Sequence, residues 1–79
     1  MDEQEIFIQL QDIFRDIFDD EELILKDTMS ANDIEDWDSL VQIRLIVSIE
    51  KQFKIKLPAQ EWQKLTNVGE MKTLIKQKL

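Results

Sequence analysis

The sequence contains no cysteine and no histidine. Without cysteine there is no disulfide framework, and nothing argues for secretion. Without either residue, the commonest nucleophile–base pairs and the commonest metal ligand are missing. Ser-His-Asp chemistry is impossible within this chain, which is therefore not expected to be an enzyme. Glycine and proline occur once each. Turn chemistry this sparse argues against an all-β fold. No apolar run reaches membrane-spanning length and the N-terminus shows no signal-peptide pattern. The default expectation is a cytoplasmic protein with no membrane partner.

What is present suits a small helical bundle. The 79 residues are 34% charged and 43% hydrophobic. A chain of this length is expected to form one domain, 1–79, and buries about 60% of the surface its unfolded form exposes, too little for a deep catalytic cleft. The net charge of −7 is unevenly spread. Residues 1–40 carry 14 acidic and 2 basic side chains, and residues 41–79 carry 3 acidic and 8 basic. The acidic half argues against nucleic acid, whose phosphates need a basic footprint, and favours a basic partner protein found by electrostatic steering. The C-terminal Lys72, Lys76 and Lys78 read as a solvated helix face rather than an anion site.

Asp2 with Glu5 three residues later marks a helix start. Ile6, Leu10, Ile13 and Ile17 recur at helical spacing, widened by Phe7, Phe14 and Phe18, which predicts a first helix over about 3–18. The acids Asp19 to Glu22 oppose the helix macrodipole and should end it. They lack the alternation, central glycine and closing glutamate of a calcium loop. Residues 19–38 read as a long connection. Leu23-Ile24-Leu25 and the pair Ile34 and Trp37 are its expected anchors, and Thr28, Ser30, Asn32 and Asp33 its turn formers. Long connections in small domains tend to be functional.

A second helix is predicted over 39–53. Leu40, Ile43, Ile46, Val47, Ile49 and Phe53 are expected to face inward, with Val41 and Leu45 elsewhere; the helix is apolar over much of its circumference, as suits a central one. Residues 54–57 alternate as an extended connector. Pro58 then introduces a short third helix, with Trp62 and Leu65 inward. Asn67 with Glu70 caps a fourth helix whose stripe is Val68, Met71, Ile75 and Leu79.

Ser39 is where the polar connection meets the most hydrophobic helix. As an N-cap with Gln42 at N3 it is explained structurally. Yet it is an exposed serine at the end of a long loop, on a rigid helix. A phosphate esterified to it would lie by free backbone N–H groups and the positive end of the helix dipole. Glu35, Asp36 and Asp38 form an acidic collar suited to a basic modifying enzyme.

Nearly the whole chain resembles the acyl carrier proteins, including their aminoacyl and peptidyl relatives. Asp38-Ser39-Leu40 looks like the family's attachment motif, Phe53-x-Ile55-x-Leu57-Pro58 its segment after the second helix, and Leu65-Thr66-Asn67-Val68 its junction into the last. The resemblance implies an all-α, four-helix bundle of acyl-carrier-protein type, with a short third helix and a long loop between helices I and II. It implies a 4′-phosphopantetheine arm joined to Ser39 by a separate magnesium-dependent phosphopantetheinyl transferase, with Asp38 and Leu40 completing the motif. The arm's thiol would carry acyl or aminoacyl groups as thioesters, which a chain without cysteine cannot do by itself. Further partners implied are a loading ligase and a downstream acyltransferase or synthase, and the carrier would be a monomer. Tethering keeps an intermediate at a high local concentration for each docked enzyme.

Two features depart from the family pattern. The positions two and five after the serine, commonly acidic in housekeeping fatty-acid carriers, are Val41 and Arg44. Glu50 keeps a later acidic position, followed by Lys51. Asp36, Val41, Arg44 and Glu50 are thus the candidate docking residues. Trp37-Asp38-Ser39-Leu40 and Asn67-Val68-Gly69 look more like stand-alone carriers of specialised pathways, such as those making polysaccharides or modified amino acids. Trp62 replaces a usually small residue beside the cleft between helices II and III, for which Ile46, Ile49, Leu57, Trp62 and Leu65 are the candidate lining. Its indole either occupies the cleft, restricting cargo to short or polar groups, or packs at the surface of helix III. The rival reading is a non-catalytic helical interaction module with Ser39 only a cap. An enzyme using Asp36, Asp38 or Glu61 lacks a carboxylate pair across a pocket.

Overall fold

Three long helices form where apolar residues recur at helical spacing and a short polar side chain precedes them, and a short one follows Pro58. A computed structural model describes residues 2–30, 33–34 and 37–79. Its elements are α1 (Glu3–Ile17), α2 (Ser39–Phe53), α3 (Ala59–Trp62) and α4 (Val68–Lys78). The chain is all-α, as predicted, with a long connection between α1 and α2 and a short α3. The expected turn former Asn32 and the collar residues Glu35 and Asp36 lie outside the described residues.

Three helices start on a side-chain cap. Asp2 accepts from Glu5 N–H at 2.8 Å, Asp38 from Val41 N–H at 2.9 Å, and Asn67 from Glu70 N–H at 2.9 Å. Each such cap satisfies an otherwise orphaned donor, worth about 1 kcal/mol. The cap of α2 is therefore Asp38, and Ser39 is the first helical residue. The expected capping box of Ser39 with Gln42 does not form, because the aspartate one residue earlier takes that role.

Helix α1 ends as its acidic tail requires. Asp19 enters the left-handed region (φ 51°), the Asp20 N–H closes on the Arg15 carbonyl at 3.0 Å, and the Asp19 N–H on the Asp16 carbonyl at 3.3 Å. Helix α2 ends through Lys54 (φ 58°), with the Ile55 N–H on the Glu50 carbonyl at 3.2 Å. A lysine held there costs roughly 1–2 kcal/mol that a glycine would not. The connector beyond it alternates as expected, with Ile55 and Leu57 buried and Lys54 and Lys56 exposed.

Helix α1 packs against both α2 and α4. Ile6, Leu10 and Phe14 of α1 meet Leu45, Ile46, Ile49 and Phe53 of α2 and Val68, Met71 and Ile75 of α4 in one core, closed by Leu25, Ile55 and Leu57. This corrects the expected inward face of α2. Leu45 is fully buried, whereas Leu40, Ile43 and Val47 point to water. The buried line runs Leu45, Ile46, Ile49, Phe53, so the remaining apolar residues must lie outside it. Among the described loop residues only Leu25 is fully buried; Leu23 is half-buried and Ile24 exposed. Leu79 likewise lies outside the core.

The connection between α1 and α2 is held at both ends. Arg15 Nε donates to the Leu23 carbonyl at 2.7 Å, and the Leu25 N–H to Gln11 Oε1 at 2.9 Å. The loop then crosses the start of α4, where the Val68 N–H donates to the Met29 carbonyl and the Gly69 N–H to the Asp27 carbonyl at 2.8 Å. A Cβ on Gly69 would stand 3.2 Å from that same Asp27 oxygen, so glycine permits the close approach. Lys72 adds an ion pair to Asp27 at 3.0 Å.

Candidate functional site

The site begins with Trp37. Its ring stands edge-on to Phe14 at 5.3 Å and to Phe18 at 6.2 Å, and its Nε1 donates to Gln42 Oε1 at 2.7 Å. One indole thus ties the end of the loop to both α1 and α2. Asp38 follows as the cap, and Ser39 is then presented, exposed, on the first turn of α2. Among the described residues neither the Ser39 hydroxyl nor the Ser39 and Leu40 N–H groups has a hydrogen-bond partner. Those two N–H groups sit at the positive end of the helix dipole.

A cleft of about 580 Å³ opens beside Ser39. Trp37, Gln42 and Ile43 form one wall, and Trp62, Gln63, Leu65, Thr66, Asn67 and Met71 the other. Of the candidate cleft residues, Trp62 and Leu65 line it, both half-buried. Ile46, Ile49 and Leu57 lie in the core instead. The Trp62 indole forms a wall and leaves open space next to it.

The candidate docking residues are scattered. Arg44 is exposed on the outward face of α2, and Val41 is half-buried on its flank. Glu50 is half-buried, and its carboxylate accepts the Leu57 N–H at 2.8 Å, which fixes the connector to α3. Asp36 lies outside the described residues. The acid candidates of the enzyme reading are also engaged: Asp38 caps α2, and both oxygens of Glu61 lie within 2.8 Å of Lys78 Nζ. Among the described residues no group of three acidic side chains is placed to hold a metal ion. No described helix is long and apolar enough to cross a membrane.

Sequence reasoning missed the Trp37–Gln42 bond and the grip of Gln11 and Arg15 on the loop. An indole two residues before a helix, with an amide side chain five residues on, was the available signal for the first.

The site fits a serine-linked phosphate group. The Ser39 residue is exposed, two N–H donors have no partner among the described residues, and a cleft lies beside it. The family described as phosphopantetheine attachment site matches residues 9–75. The acyl carrier protein of Lactobacillus acidophilus is 34% identical over 77 residues, covering 96% of this chain and 95% of that one. The acyl carrier protein of Guillardia theta is 34% identical over 80 residues, covering 100% and 98%. The solution structure of the holo acyl carrier protein from Geobacter metallireducens superposes with a TM-score of 0.85 at 47% identity, covering 91% of this chain and 83% of that one. The chain therefore belongs to the acyl carrier protein family, and its prosthetic group is phosphopantetheine.

Proposed function

We propose that this domain, residues 1–79, carries acyl or aminoacyl groups as thioesters on a 4′-phosphopantetheine arm attached to Ser39, and hands them to partner enzymes. The observation that carries this reading is the exposed Ser39 on the first turn of α2, its hydroxyl without a partner among the described residues, within the family match. When bound, the arm supplies the thiol that the chain lacks. The chain itself supplies position. Trp37 fixes the approach of the loop, Asp38 caps the helix, and the Ser39 and Leu40 N–H groups face where the phosphate oxygens would lie. Asp38 gives one carboxylate oxygen to the Val41 N–H and so serves as the cap of α2, and in this reading the phosphopantetheinyl transferase supplies the base that takes the Ser39 proton. A loading ligase and a downstream acyltransferase or synthase complete the partners.

The cargo that suits the cleft is short or polar. Two indoles and the amides of Gln42, Gln63 and Asn67 line it together with Ile43, Leu65 and Met71, and Ile46 and Ile49 are buried in the core rather than in its lining. A long acyl chain that reached past this lining would enter the core those two residues help to fill. Loading a long fatty acyl group should therefore leave their methyl resonances unmoved; large shifts there would contradict the proposal.

Attachment is tested by the intact mass of the folded protein after incubation with coenzyme A, magnesium and a broad-specificity transferase. The expected result is a gain of one phosphopantetheine, absent in Ser39→Ala. No gain with several transferases would leave Ser39 as the first residue of a helix in a non-catalytic interaction module.

A further inference from the structure

A surface helix usually turns charged and polar residues to water. Helix α2 instead turns out Leu40, Ile43 and Val47, which are 67%, 50% and 44% exposed. Their spacing places them in one stripe that begins next to Ser39. Arg44 and Lys51 share the stripe, exposed and without an ion pair among the described residues. Lys54 and Lys56 continue it, and with Val47 and Lys51 they border a shallow groove of about 410 Å³. Glu50 also lines this groove, but it is half-buried with its carboxylate held by the Leu57 N–H. The face is therefore apolar and cationic on a chain whose net charge is −7.

We propose that this face docks an acidic protein surface, one presenting an apolar depression rimmed by aspartate and glutamate side chains. The proposal rests on the carrier reading in one respect: the arm on Ser39 must reach the partner's site while the adjacent stripe is engaged. Charge complementarity selects the occupant. An anionic membrane fits less well, because the whole chain carries excess negative charge and only three apolar side chains are offered. A second copy fits less well, because every copy carries the same net charge of −7.

The test is a titration of the isotope-labelled full chain with two synthetic amphipathic helical peptides. They share a leucine stripe and differ only in flanking residues, glutamate in one and lysine in the other. The acidic peptide should shift the amides of Leu40, Ile43, Arg44, Val47 and Lys51. It should bind at least about fivefold more tightly than the basic one and weaken as salt rises from about 0.05 to about 0.5 M. The double variant Arg44→Glu/Lys51→Glu, checked for a folded spectrum, should lose that advantage. Equal or tighter binding of the basic peptide at the stripe overturns the proposal. So do shifts confined to other surfaces, binding only to phosphatidylglycerol vesicles, or stripe shifts that track the chain's own concentration. Mass measurement on the same sample keeps the two readings apart. A flat titration in a chain that accepts the arm removes the docking surface alone, and stripe binding in a chain that refuses the arm removes the carrier reading alone.

Discussion

Helices α2 and α4 begin alike and are then treated in opposite ways. Each starts on a side-chain cap, Asp38 or Asn67. The first N–H groups of α4, on Val68 and Gly69, are covered by carbonyls of the long loop. Those of α2, on Ser39 and Leu40, have no partner among the described residues. The cations diverge in the same way. Lys72, Lys76 and Lys78 of α4 pair with Asp27, Glu3 and Glu61. Arg44 and Lys51 of α2 pair with nothing described. One helix end is closed to hold the fold together, and the other is left open to present a serine. The difference shows that a small domain can divide stability and presentation between two helices of similar design.

The largest expected effect sets core against stripe. Ile75→Ala on α4 and Leu45→Ala on α2 remove fully buried side chains and should each cost about 2–5 kcal/mol in denaturant melts. Leu40→Ala, on the open face, should cost less than about 0.5 kcal/mol. A Leu40→Ala loss comparable to that at Ile75 would break the comparison. Next is the seam between loop and α4. Gly69→Val places a branched side chain against the Asp27 carbonyl and should cost about 1–3 kcal/mol. Its amide-exchange signature should be faster exchange at position 69 and at Val68 with little change at Val41. The smallest effect contrasts two cations. Lys72 is largely buried, with 16% of its side chain exposed, and pairs with both oxygens of Asp27, so Lys72→Ala should cost about 1 kcal/mol. Arg44→Ala should leave stability within about 0.5 kcal/mol and act only on binding.

The boundaries of α2 were legible because an apolar run of strong helical period extends from Leu40 to Phe53 behind a polar loop. Its facing was not. With Leu40, Val41, Ile43, Leu45, Ile46, Val47 and Ile49 all apolar, several faces of the helix score alike, and only the positions of α1 and the connector choose among them. The lysines of α4 read as a solvated face because their partners lie 17 to 73 residues away in sequence. The same distance hid the loop seam, where the acceptors on Gly69 and Val68 are backbone carbonyls with no residue signature. Glu50 read as an outward docking acid, and the Leu57 N–H turns it to structural use. The place of Ser39 at the junction of loop and helix was legible, although it is the first helical residue rather than the cap.

The most direct test of the central claim is to locate the modification by fragmentation mass spectrometry on the transferase-treated protein. The chain has three serines, Ser30, Ser39 and Ser48. Only Ser39 stands exposed at an uncovered helix start. The prediction is one phosphopantetheine, entirely on the peptide that contains Ser39. Phosphopantetheine on Ser30 or Ser48, or none in a folded sample, would contradict it.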